Sequence, residues 1–170
     1  MKAAISYLLV FGILTGLDFA TTMYGINANL GTELNNLVAN TEGGLSGKFI
    51  IANGLFAVLF TGFFTKAIRS LNGSISAPES WGSYAHGLRI GTPYGFFSAA
   101  IAVLLTKFMV VISNTAAITI GISLSSILKL IVGDGPLLMW TTLATGIVIG
   151  LILAKPVSQR LFRFRHLVEN

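Results

Sequence analysis

Two ionisable side chains interrupt long apolar stretches of this sequence. Asp18 lies in the first stretch, and Lys107 lies in the third, beside Thr106. A charged side chain at the centre of a bilayer costs about 3 kcal/mol on insertion scales, so it usually faces the interior of a helical bundle and finds a partner there. These two residues are therefore the first candidates for intramembrane chemistry.

Helical geometry places the two charges at a similar depth. Each lies about 15 residues after the start of its helix, or roughly 22 Å from the inner membrane boundary at about 1.5 Å per residue. Asn53, near the start of an oppositely directed helix, reaches nearly the same depth. Thr21 and Thr22 lie on or near the face of Asp18. We therefore predict one intramembrane polar layer of Asp18, Thr21, Thr22, Asn53 and Lys107.

Three interpretations of this layer remain open. It is a structural ion pair that fixes helix packing, a proton or cation site, or a contact with a partner subunit. Lys107 argues against a cation site, because its ammonium group repels the ion. The chain has no cysteine and only two histidines, and neither a Ser–His arrangement nor a carboxylate pair is present. We expect no catalytic residue, cofactor or enzyme activity in this chain by itself, although it could belong to an enzyme complex.

The segment after the first apolar stretch offers a second group of polar residues. Glu33, Asn35 and Asn36 carry the oxygen ligands that hard cations prefer. The alternative is a turn or helix-capping segment at the membrane interface, which asparagines also favour. Because one or two carboxylates are a weak signal for a cation site, we keep these residues as an outer-loop candidate and predict no metal site.

Small residues spaced by four recur in three apolar stretches. This spacing lets helix backbones approach closely in lipid. It therefore indicates helix contacts, either inside the fold or with another chain. The pairs are Gly12 and Gly16, Gly91 and Gly95, and Gly146 and Gly150.

The amino-acid composition indicates the fold class that positions these residues. Of the 170 residues, 54% are hydrophobic and 10% are charged, whereas soluble domains carry about 25% charged residues. A helix needs about 20 apolar residues to span a bilayer. We predict an all-α integral membrane protein, one domain over residues 1–170. Its four-helix bundle has spans at about 3–25, 49–67, 92–113 and 137–154.

One further apolar stretch, residues 115–132, has an ambiguous pattern. Threonine, serine and Lys129 recur every three or four residues opposite an apolar face, which predicts an amphipathic helix. Such a helix would lie at the outer interface or pack across the bundle. The alternative is a fifth span with a Ser/Thr packing face.

Basic residues indicate the orientation. They concentrate at Lys2, in the loop after the second span and in the tail after residue 154, and basic segments stay in the cytoplasm. Both termini are therefore expected to be cytoplasmic in a cell membrane. Residues 26–47 and 114–135 are expected outside. Because topology explains the net charge of +5, the expected partners are the lipid bilayer and other membrane subunits or copies of this chain, not nucleic acid.

Three short motifs resemble those of a family of small prokaryotic membrane proteins of uncharacterised function. The family pattern has Asp-x-x-Thr-Thr in the first helix, Gly-x-Glu-x-Asn-Pro after it, and a Val-rich end of the third helix that closes on Asn. This chain has Asp18-Phe19-Ala20-Thr21-Thr22, Gly31-Thr32-Glu33-Leu34-Asn35 and Val110-Val111-Ile112-Ser113-Asn114, with Asn36 in place of the proline. The resemblance ends near residue 115. It implies a bundle with Asp18 and Glu33 as the residues of interest, and it implies no activity.

Small-residue helix faces, short loops and the absence of a soluble domain favour one function class. We expect an accessory or structural subunit of a larger membrane complex. The alternative is a small conductor of ions or solutes that uses the layer around Asp18.

Overall fold

The computed structural model describes residues 2–28, 47–70, 80–88 and 92–168. Within these ranges the chain forms six helices. They are α1 (Lys2–Asn27), α2 (Gly47–Ser70), α3 (Trp81–Gly87), α4 (Pro93–Ile120), α5 (Leu124–Val132) and α6 (Pro136–Val168). Four of them contain segments long and apolar enough to cross a bilayer: Lys2–Asn27, Phe49–Ser70, Pro93–Ile120 and Pro136–Arg160. These correspond to the four predicted spans, so the prediction of an all-α membrane bundle is confirmed.

Helix α4 is the central element of the bundle, because α1, α2 and α6 all pack against it. One core cluster, which includes Tyr84, Phe97 and Ala154, joins α4 to α3 and α6. A second cluster, of Tyr7, Phe11 and Ala100, joins α4 to α1. The first half of α4 thus supplies buried residues to both core clusters.

The start of α4 is set by its first residues. Thr92 is the N-cap, and its hydroxyl accepts a hydrogen bond from the backbone N–H of Gly95 at 2.9 Å. Pro93 follows at the first helical position, where its missing N–H costs nothing and its fixed φ suits the helix. The cap and the proline together hold the entry point of the helix that carries Lys107.

Residues 115–132 do not form one helix, and this part of the prediction is wrong. Residues 115–120 are the last turns of α4, which ends at Gly121 in the left-handed conformation (φ 70°, ψ 12°). Ser123 then caps a separate helix, α5, through a capping box with Ser126. Both the glycine and the Ser-x-x-Ser spacing are visible in the sequence as stop and start signals.

Helix α5 is too short to be a fifth span. Its nine residues extend about 14 Å at 1.5 Å per residue, less than half of the ~30 Å hydrocarbon core. The backbone N–H of Leu124 donates to the Ser113 hydroxyl at 2.8 Å, which holds the start of α5 against the end of α4. Leu130 and Ile131 are 87% and 76% exposed, so α5 presents an apolar face outward, as an interfacial helix does.

The fourth spanning helix continues beyond its predicted end. The predicted span stops at residue 154, before Lys155 and Pro156, but α6 runs through Pro156 to Val168. Proline has no N–H and therefore leaves the carbonyl of Ile152 without its helical partner. Since the chain remains helical past this point, the basic tail is a direct extension of a spanning helix.

Candidate functional site

Lys107 of α4 connects to both neighbouring helices through its ammonium group. The Nζ atom donates a hydrogen bond to Oδ1 of Asn53 on α2 at 2.8 Å. It lies 4.0 Å from Oδ2 of Asp18 on α1, with only 15% of the Lys107 side chain and 18% of the Asp18 side chain exposed. The ring of Phe11 lies beneath the ammonium, 5.0 Å from Nζ to the ring centroid. The two charges therefore face each other inside the bundle.

Asn114 holds the other side of the Asp18 carboxylate. Its amide nitrogen Nδ2 lies 3.0 Å from the Thr22 hydroxyl, 3.3 Å from the Thr21 hydroxyl and 3.3 Å from Oδ1 of Asp18. Thr21 in turn donates to the carbonyl of Leu17 at 2.9 Å, so its oxygen is available as an acceptor. We call Asp18, Thr21, Thr22, Asn53, Lys107 and Asn114 the polar cluster.

The polar cluster links α1, α2 and α4 without a strong direct ion pair. At 4.0 Å the attraction between two charges is about 4 kcal/mol for an effective dielectric constant of 20. Taking each ion out of water costs several kcal/mol, so the Coulombic gain and the desolvation cost largely cancel. The hydrogen bonds from Asn114 and to Asn53 supply the partners that a buried charge still needs. The pair therefore adds little net stability, although removing one partner would leave the other charge buried without its counter-charge.

The chemistry available to the polar cluster is limited. It contains one carboxylate, and the described part of the chain has no group of three His, Cys, Asp or Glu residues that could hold a metal. Two surface grooves, on α2 and on α6, include none of its residues. Glu33, Asn35 and Asn36 lie outside the described residues. What remains is one ammonium and one carboxylate, each held by a neutral polar side chain of a neighbouring helix.

Sequence reasoning brought together five of the six residues but did not include Asn114 in the layer. The predicted third span stopped at about residue 113, whereas α4 continues through Asn114 to Ile120. Asn114 lies seven residues after Lys107, or nearly two full turns, and so shares its face. That spacing is the signal that could have identified it.

The paired glycines divide into two kinds. A Cβ atom added at Gly150 would lie 2.7 Å from the backbone oxygen of Ala102, and one added at Gly146 would lie 3.3 Å from the Thr106 methyl. The Thr106 hydroxyl donates to the carbonyls of Ala102 and Gly146, at 2.8 and 3.1 Å. These glycines therefore serve the contact between α6 and α4. Added Cβ atoms at Gly12 and Gly16 meet nothing within 4 Å.

A second buried polar group ties the short helix α3 to the bundle. The Tyr84 hydroxyl donates to the carbonyl of Leu151 on α6 at 2.7 Å, and its ring contacts Tyr94 edge-on at 5.8 Å. Burial, with a smaller contribution from the neighbouring Tyr94, raises the pKa of Tyr84 to about 12. Tyr84 therefore stays protonated at neutral pH and acts as a donor that docks α3.

No family model, curated protein or solved structure matches this chain. The resemblance to small prokaryotic membrane proteins therefore stays a prediction, and the function of this four-span bundle has to be argued from its own residues.

Proposed function

We propose that this protein is an accessory or structural subunit of a larger membrane complex in the cell membrane. The observation that carries the proposal is the outer face of α1. Gly12, Gly16 and Ala20 follow one another at four-residue spacing and are all exposed, with Leu9 and Ile13 beside them, each 61% exposed. Because small residues let helices approach closely in lipid, this face suits a transmembrane helix of another protein.

The polar cluster supports the same proposal. Its charges are turned inward, and each is already matched by a group on a neighbouring helix. Such an arrangement fixes the packing of α1 against α4, and it thereby keeps the glycine face of α1 in one orientation. In this proposal the polar cluster positions a docking face and handles no substrate.

Membrane extraction in mild detergent tests the proposal. We expect the full chain to migrate on native gels with a larger membrane protein, and we expect isoleucine at both Gly12 and Gly16 to release it. Gly54→Ile on α2 is the matched control, because an added Cβ at Gly54 also meets nothing within 4 Å. Release by the control variant to the same extent, or a complex that contains only copies of this chain, would contradict the proposal.

A second candidate is a small conductor of protons or other ions, favoured by one observation. The Asp18 carboxylate lies within a chain of polar groups that includes Lys107 and Asn114, on the face where α1 and α4 meet. Purified protein in liposomes distinguishes the candidates. If the wild-type protein conducts and Asp18→Asn abolishes flux while circular dichroism shows an unchanged fold, conduction replaces the accessory role. Equal flux in protein-loaded and empty liposomes supports the accessory role.

A further inference from the structure

We propose that the end of α2 binds the headgroup phosphate of an anionic glycerophospholipid. A shallow groove of about 400 Å³ runs along this helix, and its lining consists of Thr61, Gly62, Thr65, Lys66, Arg69 and Ser70. These residues recur at three- and four-residue spacing and so share one face of the helix. Two basic side chains thus lie at the mouth of a groove that continues toward the membrane interior.

The two cations have no carboxylate nearby in the described part of the chain. Its carboxylates are Asp18 and Asp134, and each faces another lysine: Asp18 faces Lys107, and Asp134 pairs with Lys129 at 2.9 Å. The Lys66 ammonium lies over the ring of Phe96, 4.7 Å from its centroid. A ring supplies only a partial negative charge, so among the described residues Lys66 and Arg69 form a positive site that no carboxylate neutralises.

The shape of the groove favours a lipid over a free anion. Gly62 leaves open space where a side chain would stand, and this space lies one helical turn closer to the membrane interior than Lys66. A phosphate held by Lys66 and Arg69 would direct an acyl chain along this opening. A zwitterionic headgroup fits less well, because its own ammonium is repelled by the two basic residues.

Native mass spectrometry of the full chain in detergent tests the proposal, with phosphatidylglycerol and phosphatidylcholine of matched acyl chains. Each basic residue near an anionic surface strengthens binding. For two of them we expect the wild-type protein to bind phosphatidylglycerol roughly tenfold more tightly than phosphatidylcholine, or more. We expect Lys66→Gln with Arg69→Gln to reduce this preference to near one. The matched control is Lys2→Gln with Arg160→Gln, which removes the same charge from exposed positions outside the groove.

Two further measurements distinguish a specific lipid site from nonspecific electrostatic attraction between anionic lipids and the basic residues. Gly62→Leu fills the groove and keeps every charge, so we expect it to weaken phosphatidylglycerol binding, and thermal unfolding checks that the variant folds. Millimolar inorganic phosphate should leave the lipid bound. The proposal is overturned if the control pair lowers the preference as much as the groove pair, if Gly62→Leu binds like the wild type, or if inorganic phosphate displaces the lipid.

Discussion

At Asn114, one amide group holds α4 against three acceptors on α1. Its nitrogen carries two hydrogens and faces Asp18, Thr21 and Thr22 within 3.3 Å. Lys107 approaches Asp18 less closely and gives its short hydrogen bond to Asn53 instead. The partners of each charge are therefore mostly neutral polar groups, and this division determines how single substitutions should behave.

Removing either charge of the polar cluster should destabilise the protein more than removing both. Asp18→Asn or Lys107→Met alone leaves the other charge buried, which costs about 3 kcal/mol or more. We expect the double variant to regain much of this free energy of unfolding, measured by denaturant titration in detergent micelles. Lys129→Met is the control. Because the ion pair between Lys129 and Asp134 is exposed, we expect its loss to change the free energy of unfolding by about 0.5 kcal/mol or less. Additive losses in the double variant would argue against coupling.

At the scale of helices, Gly150 and Gly12 should respond oppositely to the same methyl group. Gly150→Ala places a Cβ against the backbone oxygen of Ala102, which cannot rotate away, so α4 and α6 must separate. We expect a loss of about 1–3 kcal/mol, as for other overpacked sites. Gly12→Ala meets open space and gains helix propensity, so its stability should not fall. Thermal unfolding, followed by circular dichroism, compares the two variants. Equal losses of stability would show that close packing between α4 and α6 at Gly150 is not the cause.

The break between α4 and α5 depends on the left-handed backbone at Gly121. We expect Gly121→Val to destabilise the protein by about 1–2 kcal/mol, because a Cβ clashes with the backbone at this φ. Gly121→Asn should cost less, since asparagine tolerates this conformation. Denaturant titration of the two variants provides the measurement. A valine variant as stable as the asparagine variant would mean that α4 and α5 can merge into one helix.

The positions of helices were predicted well where composition alone determines them. They were predicted less well where a single residue determines the end of a helix. Runs of apolar residues located the four spans, because a bilayer demands length and hydrophobicity. The Thr/Ser periodicity of residues 115–132 is present in the sequence, but the helix ends at Gly121. A periodic pattern over a whole segment is insensitive to a single residue that ends a helix. Which glycine pair lies inside the fold depends on how helices are arranged, and spacing within one helix does not specify that.

At the scale of the whole molecule, the orientation in the membrane remains a prediction that the chain makes easy to test. It has no cysteine, so single cysteines at Ala85 and Asp134 report on opposite ends of the bundle. Because basic residues favour the cytoplasm, we expect a membrane-impermeant maleimide to label Asp134→Cys in intact cells and Ala85→Cys only after lysis. The reverse pattern would invert the topology.

The hydrogen bonds across α1 and α4 also set an order of events during synthesis. Asn114 follows Asp18 by 96 residues. At about 5–20 residues per second, the ribosome needs on the order of ten seconds to synthesise this segment. During this interval α1 is already in or near the bilayer with a carboxylate whose partners on α4 do not yet exist. We therefore expect nascent chains that end before α4 to leave α1 the least firmly inserted helix, and completion of α4 to secure it.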